Sequence, residues 1–211
     1  MTRRSILDIL QMAPVIPVVT LARAEDAVPL GRALLAGGLP VIEITLRTEA
    51  ALAGARALLT EVPEAVVGLG TLLDRAQLEV ASTSGAAFLV SPGATPELIR
   101  AMNEKVAPPW LPGVGSPSEV MQLQAAGFRA LKFFPAEASG GTAWLKAVRA
   151  VFPEVVFCPT GGIDEAGAAD YLDLPNVPCV GGSWIAPAAL IARGEWDQIE
   201  RRARAAAAIK K

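Results

Sequence analysis

A lysine interrupts an apolar stretch of this chain that otherwise alternates as a β-strand does. In ALKFFPA (130–136) the period of two places Lys132 on one face together with Ala130 and Phe134. Desolvation among phenylalanine side chains favours the uncharged amine, which is a nucleophile toward a ketone. Attack gives a carbinolamine and then an iminium, which withdraws electrons from the adjacent carbon. The alternative is a structural lysine that only pairs with a carboxylate inside the protein.

A carboxylate and a guanidinium share one face of a second strand-like stretch. VIEITLR (41–47) places Glu43 and Arg47 together, opposite a face of isoleucine and leucine. Leaving either charge buried without a partner costs about 3–5 kcal/mol, so each group needs a partner or a ligand. The chain contains no histidine, so acid–base chemistry falls to Glu, Asp, Lys or Tyr.

Two glycine-rich turns follow the last two strand-like stretches. They are PTGGI (159–163) and VGGSW (180–184). Thr160 adds a hydroxyl group to the first turn, and Ser183 adds one to the second. Glycines allow backbone N–H groups to approach an anion closely. Either Gly-Gly pair alone could serve only to allow a tight turn. Together, after the seventh and eighth strands of a barrel, they favour a phosphate site.

The order of elements predicts how these residues are positioned. Eight β-branched or apolar stretches begin 20 to 26 residues apart, with amphipathic Ala- and Leu-rich segments between them. The stretches are VIPVVT (15–20), VIEITL (41–46), VVGLGT (66–71), FLVSPG (88–93), WLPGVG (110–115), ALKFFPA (130–136), VVFCPTGG (155–162) and CVGGSW (179–184). We predict an α/β protein: one domain over residues 1–211, a (β/α)8 TIM barrel with an extra N-terminal helix. Catalytic residues of this fold follow the carboxyl ends of the strands.

Composition argues against several classes of function. No apolar run approaches the ~18 residues of a membrane span, and the net charge of −2 comes without a basic patch, so we expect neither membrane nor nucleic-acid partners. Cys158 and Cys179 lack metal-ligand spacing and the density of a disulfide framework. We therefore predict no metal site and a reducing, cytoplasmic location. Asp8 interrupts the first eleven residues, which predict a helix and not an export signal.

Six short motifs occur together and in order along the chain. They are EITLRT (43–48), GLGT (68–71), SPG (91–93), LKFFPAE (131–137), CPTGGI (158–163) and GGSW (181–184). In this order and spacing they resemble the 2-keto-3-deoxy-6-phosphogluconate (KDPG) and 4-hydroxy-2-oxoglutarate (KHG) aldolase family, over essentially the whole chain. The resemblance implies a class I aldolase, a metal-independent lyase without a cofactor, that cleaves KDPG to pyruvate and glyceraldehyde 3-phosphate in the Entner–Doudoroff pathway. It also implies a homotrimer.

The resemblance implies a role for each residue that matches the family motifs. Lys132 would form the Schiff base with the C2 carbonyl, and Glu43 would be the acid–base group. The substrate-binding residues would be Arg47 and Thr71 at the carboxylate end, Pro92 in the pocket lining, and Phe134 and Thr160 along the chain. The phosphate-binding residues would be Gly161, Gly162, Gly182 and Ser183.

Other readings of the sequence stay open. The preferred substrate could be KHG or 2-keto-3-deoxy-6-phosphogalactonate. A second class is a metal-dependent pyruvate aldolase, which insensitivity to EDTA would exclude. A third is a pyridoxal-phosphate barrel protein, in which Lys132 would hold the cofactor and the glycine turns its phosphate. A barrel subunit modified mainly for assembly is a further alternative. It would explain the unusual segments KAVRAVFPE (146–154) and MNEKVAPPW (102–110), of which the second is expected to bring Met102, Val106 and Trp110 near the surface.

Overall fold

The computed structural model describes residues 4–104 and 107–209, along which strands alternate with helices. The strands are β1 (Val15–Val19), β2 (Val41–Thr45), β3 (Val66–Gly70), β4 (Phe88–Val90), β5 (Trp110–Leu111), β6 (Gly113–Val114), β7 (Ala130–Phe133), β8 (Val156–Pro159) and β9 (Val180–Gly182). The helices are α1 (Ile6–Leu10), α2 (Ala27–Ala36), α3 (Ala50–Glu61), α4 (Arg75–Ser82), α5 (Pro96–Glu104), α6 (Pro117–Ala125), α7 (Gly141–Val151), α8 (Ala168–Leu172), α9 (Ala188–Ala192) and α10 (Trp196–Ala207). A short 3₁₀ helix, Ala24–Asp26, precedes α2.

Parallel pairing arranges the strands in two sheets. One sheet has the order β5-β4-β3-β2-β1-β9, and the other has the order β6-β7-β8. Every strand pair in the described ranges is parallel. An isolated parallel bridge between Thr160 and Gly181 links the end of β8 to β9. The α/β class with parallel strands is confirmed, whereas the single domain over residues 1–211 stays a prediction.

The stretch WLPGVG, predicted as one strand, is divided into β5 and β6. Pro112 lies between them and has no N–H group to donate to a strand ladder. Its carbonyl still accepts a hydrogen bond from Lys132 N at 2.8 Å, so the break leaves the contact with β7 intact. The structure therefore has nine strands in the described residues where the sequence predicts eight, and the proline explains the division, while the closed (β/α)8 barrel stays a prediction.

Apolar packing covers the amino ends of the strands and leaves their carboxyl ends for a site. The first residues of β2, β3, β4 and β7 form an apolar cluster with Ile9 and Leu10 of α1, which covers the amino ends of the strands. The predicted N-terminal helix is thus present, and it begins with a capping box in which Ser5 Oγ accepts from Asp8 N at 3.2 Å. A second, larger cluster joins strand residues such as Phe133 to helix residues such as Leu145.

The expected surface position of one residue is wrong. Trp110 is 3% exposed, because its Nε1 donates to Ser91 Oγ at 3.1 Å and its ring packs edge-on against Phe128. Met102 is half-buried against the core, and Val106 lies outside the described residues. The end of α7 does present an apolar side chain, since Val151 is 68% exposed.

The lengths of the helices are relevant to the prediction that the protein has no membrane partner. Even α3 and α10, with 12 residues each, are shorter than the roughly 20 residues that span a bilayer. Among the described residues, no helix combines the length and the apolar character of a membrane span. The location in the cytoplasm stays a prediction.

Candidate active site

Lys132 and Glu43 form a buried ion pair between β7 and β2. Both residues are 4% exposed, and Lys132 Nζ donates to Glu43 Oε1 at 3.2 Å. The two residues are 89 positions apart, so the pair depends on the fold. The predicted alternation explains the direction of the lysine side chain, because its neighbours Leu131 and Phe133 belong to the larger apolar cluster.

Two glycines beside this pair leave room for the Glu43 carboxylate and for the backbone of Pro92. A Cβ atom on Gly70, the last residue of β3, would lie 2.0 Å from Glu43 Oε1. Gly113 pairs with the lysine in the sheet, and a Cβ atom there would lie 2.1 Å from the carbonyl oxygen of Pro92. Thr71 directly follows Gly70 and has a positive φ of 66°. Thr71 and Pro92 therefore lie at the strand ends next to the ion pair.

A cavity of about 440 Å³ lies at the carboxyl ends of the strands. Phe134 connects it to the ion pair, because this side chain lines the cavity and its ring centroid is 5.4 Å from Lys132 Nζ. Val18 also lines the cavity and pairs with Glu43 in the sheet. The amine of Lys132 and the carboxylate of Glu43 therefore adjoin a space that is large enough for a small metabolite.

Arg47 makes the electrostatic character of this cavity positive. It is exposed just after β2 and lines the cavity, and it forms no ion pair with any residue in the described ranges. None of the described lining residues is acidic. The cavity is therefore suited to an anionic ligand.

The turn after β8 exposes backbone to the cavity. Gly161 and Gly162 have positive φ values of 101° and 85°, a region that glycine adopts without strain. Thr160 precedes them, is 7% exposed and lines the same cavity. A Cβ atom on Gly181 would lie 2.3 Å from Thr160 Oγ1, so the absence of a side chain there makes room for the threonine.

The predicted site residues fall into two neighbouring groups. The cavity is lined by Arg47, Phe134, Thr160, Gly161, Gly162 and Ser183. Lys132 and Glu43 form the adjoining pair, with Thr71 and Pro92 near it. Gly182 lies outside the cavity lining, and a Cβ atom there would lie 2.0 Å from a ring carbon of Trp184.

The structure also identifies residues that the sequence did not single out. Thr20 lines the cavity and follows β1, so the rule that sites lie at strand ends could have found it. Trp184 lines the cavity directly after the predicted Ser183. Tyr171 donates a hydrogen bond to Glu137 beneath the glycine turn, and no local pattern predicts a contact over 34 positions.

Metal ligands are not grouped in the part of the chain that the structure describes. There, no cluster of three or more His, Cys, Asp or Glu side chains could hold a metal ion. Cys158 and Cys179 are buried with their Sγ atoms 3.6 Å apart, in the cluster at the amino ends of the strands. The groups next to the cavity are an amine, a carboxylate, a guanidinium and hydroxyls.

Known proteins are similar to this chain over most of its length. The family model described as KDPG and KHG aldolase matches residues 6–202. The chain is 47% identical over 201 residues to the 2-dehydro-3-deoxy-phosphogluconate aldolase of Pseudoalteromonas atlantica, covering 95% of this chain and 93% of the relative. It is also 47% identical over 199 residues to the KHG/KDPG aldolase of Escherichia coli K12, covering 94% and 93% of the two chains.

A solved structure extends the similarity to three dimensions. The KDPG aldolase from Legionella pneumophila, with pyruvate captured at low pH as a covalent carbinolamine intermediate, superimposes with a TM-score of 0.93 and 43% identity. The alignment covers 96% of this chain and 98% of that one. The chain therefore belongs to the KDPG and KHG aldolase family.

Proposed function

We propose that this protein is a class I, Schiff-base aldolase that cleaves KDPG to pyruvate and glyceraldehyde 3-phosphate. The observation that carries the proposal is the buried Lys132–Glu43 pair beside a positively charged cavity. The relative from Legionella pneumophila supports it, because pyruvate is captured there as a covalent carbinolamine. A carbinolamine is the first adduct of an amine with a ketone, which is the chemistry assigned here to Lys132.

Lys132 is the nucleophile in this mechanism. The Glu43 carboxylate lies 3.2 Å from Nζ and is therefore in position to take the ammonium proton. The free amine attacks the C2 ketone and gives a carbinolamine. Glu43 returns its proton to the carbinolamine hydroxyl, which leaves as water, so that an iminium forms and Glu43 is again a carboxylate. The iminium is the electron sink that carbon–carbon cleavage requires.

Glu43 then acts on the bound substrate. Its carboxylate removes the proton of the C4 hydroxyl, the C3–C4 bond breaks, and the electron pair of that bond passes into the iminium. Glyceraldehyde 3-phosphate leaves, and an enamine of pyruvate remains on the lysine. Protonation at C3 and hydrolysis release pyruvate and regenerate the amine.

The other residues of the site hold the two ends of the substrate. Arg47 and Thr71 bind the carboxylate end, which the exposed and unpaired guanidinium supports. Pro92 lines the pocket, while Phe134 and Thr160 contact the substrate chain. The phosphate-binding residues are Gly161, Gly162, Gly182 and Ser183. The two consecutive positive-φ glycines support this assignment, because they turn backbone toward the cavity.

Metal independence is part of the proposal. The iminium withdraws the electrons that a bound metal would otherwise withdraw, so the lysine makes a Lewis acid unnecessary. We expect EDTA to leave the cleavage rate unchanged. Loss of activity in EDTA, with recovery on adding a divalent metal, would instead favour a metal-dependent pyruvate aldolase.

The proposal extends to the fold and the assembly. We propose that the strands close into one (β/α)8 barrel and that the chain forms one domain. Two observations support closure: the bridge between Thr160 and Gly181 joins β8 to β9, and Pro112 alone separates β5 from β6. We further propose that three chains form the homotrimer that is usual in the family.

The test is covalent trapping of pyruvate by borohydride, followed by mass spectrometry. We expect a pyruvate-derived adduct on Lys132 in the wild type and none in Lys132→Ala. Absence of an adduct at any pyruvate concentration would leave Lys132 as a structural ion-pair partner. Steady-state cleavage of KDPG, its galactonate epimer and KHG then ranks the substrates, and we expect KDPG to have the highest kcat/KM.

A further inference from the structure

We propose that Tyr171 and Glu137 are positioning residues that hold the glycine turn, Thr160–Gly162, in its anion-binding conformation and so determine affinity for the phosphorylated end of the substrate. This inference rests on the proposed function, since it deepens the role given to that turn. Neither residue lines the cavity that receives the substrate, so each would act only through the turn.

The turn is a thin wall between two cavities. Gly162 and Ile163 line the substrate cavity, and they also line a second cavity of about 570 Å³ on the other side. Tyr171 and Glu137 line only the second one. A glycine backbone with open space on both sides is conformationally free, because glycine has no Cβ atom to restrict its φ and ψ angles. Its conformation therefore depends on what packs behind it.

Glu137 supplies the contact behind the turn. Its backbone N–H donates to Gly161 O at 3.1 Å, and Ala136 N donates to Thr160 O at 2.9 Å. A Cβ atom on Gly162 would lie 2.7 Å from both Cβ and Cγ of Glu137. The glutamate side chain thus packs directly against the α-carbon of Gly162, where any other residue would collide with it.

Tyr171 fixes the direction of this glutamate side chain. Its hydroxyl, on the 2%-exposed tyrosine of α8, donates to Glu137 Oε1. The same hydroxyl would be 3.1 Å from a Cβ atom on Gly141, the first residue of α7, so it lies close to the backbone of that glycine. The contacts form a chain from α8 through the carboxylate to the turn.

The protonation state of Tyr171 is suited to this role. Burial raises its pKa, and the hydrogen bond to Glu137 and the charge of that carboxylate raise it further. The hydroxyl therefore keeps its proton at neutral pH and stays a donor. Glu137 is an exposed residue, so its carboxylate would turn toward water without the hydrogen bond from Tyr171.

The test compares Tyr171→Phe and Glu137→Ala with the wild type, using probes that do and do not carry phosphate. The probes are KDPG in steady-state kinetics, inorganic phosphate in calorimetric titration, and pyruvate in borohydride trapping. Loss of a hydrogen bond to a charged group corresponds to about a tenfold effect. We expect KM for KDPG and the Kd of phosphate to rise about three- to tenfold, with pyruvate trapping changed less than twofold.

Two further variants separate positioning from folding. Glu137→Gln keeps an amide oxygen that accepts from Tyr171 and a side chain that packs on Gly162, so it should retain most of the phosphate affinity. Glu165→Gln alters an exposed carboxylate near the same turn and is the matched control, expected to behave as the wild type. Thermal unfolding of each variant reports any general loss of stability.

The results of these measurements distinguish a positioning role of Tyr171 and Glu137 from a purely structural one. Equal weakening of KDPG, phosphate and pyruvate, or a loss of stability alone, would assign the pair a purely structural role and overturn it. Unchanged phosphate affinity in Tyr171→Phe, or no phosphate binding by the wild type, would overturn it as well. Failure of the wild type to trap pyruvate, with phosphate affinity still lowered in Tyr171→Phe, would refute the aldolase mechanism and leave the positioning role intact.

Discussion

At the scale of single residues, Lys132 and Glu43 form a buried ion pair, and the proposed mechanism assigns the chemistry to the same two groups. Each charge is 4% exposed and compensates the other, because a buried charge without a partner is strongly destabilising. A buried ion pair is nevertheless weak evidence for stability, since an apolar pair of similar volume is often as stable or more so. In the proposed mechanism, the pair places an amine and a proton acceptor within reach of each other next to the cavity.

Replacing Glu43 by glutamine should separate Schiff-base formation from cleavage. The amide keeps the shape of the carboxylate but cannot take the C4 hydroxyl proton. We expect Glu43→Gln to lower kcat for KDPG cleavage by about 10²- to 10⁴-fold, while borohydride still traps pyruvate on Lys132, more slowly. Glu64→Gln, at an exposed position away from the site, is the control. A wild-type kcat in Glu43→Gln would remove Glu43 from the mechanism.

Urea unfolding should reveal the mutual compensation of the two charges. Lys132→Met leaves the Glu43 carboxylate buried without its cation, and we expect it to lower the free energy of unfolding by about 3–5 kcal/mol at pH 7. The double variant Lys132→Met, Glu43→Gln contains neither charge and should recover most of that loss. If the single and double variants were equally stable, the pair would not be coupled in the folded protein.

At the scale of elements, glycine in two strands leaves space for neighbouring atoms: the carboxylate of Glu43 beside Gly70 and the backbone of Pro92 beside Gly113. Gly70 ends β3 beside Glu43, and Gly113 lies in β6 opposite the lysine in register. Glycine weakens a strand, because it lacks a side chain to pack and loses more entropy on folding. Here the missing side chain is what allows the carboxylate to enter the space between the strands.

Alanine at Gly70 should displace that carboxylate. The added Cβ atom would lie 2.0 Å from Glu43 Oε1, so the side chain or the strand must move. We expect Gly70→Ala to lower kcat for KDPG at least about tenfold and to cost about 1–3 kcal/mol of stability, measured by steady-state kinetics and urea unfolding. Gly93→Ala is the matched control, because a Cβ atom there would meet nothing within 4 Å. Equal behaviour of the two variants would contradict the steric argument.

The elements also show how far the sequence could predict this site. The period of two in β2 and β7 was sufficient to put Glu43 and Lys132 away from the larger apolar cluster, and the glycines after β8 marked the cavity. Burial of Trp110 could not be predicted, because it depends on Ser91 and Phe128 in other elements. The contact of Tyr171 with Glu137 is likewise a product of the folded chain, since it joins α8 to the loop after β7.

At the scale of the whole molecule, the composition is less charged than that of an average soluble protein, and just over half of it is apolar. Residues of the A, V, I, L, M, F, W, Y and C types make up 52% of the chain, and charged residues make up 19%, compared with about 25% in an average soluble protein. Some of the apolar side chains are exposed: Leu73, Val80, Met121 and Val151 are 45% to 68% accessible. Exposed apolar surface of this kind can be covered by other copies of the chain.

Light scattering after size-exclusion chromatography should give three times the mass of one chain at micromolar concentration. We expect Val151→Glu to reduce the fraction of trimer or of any larger species, because it puts a charge on a 68%-exposed apolar position at the end of α7. Lys146→Glu, which alters the charge of the same helix without removing an apolar side chain, should leave the mass unchanged. A single-chain mass for the wild type would contradict the trimer. If Val151→Glu does not disturb the trimer, the end of α7 lies outside the interface. Segment 146–154 would then have no inferred role in assembly.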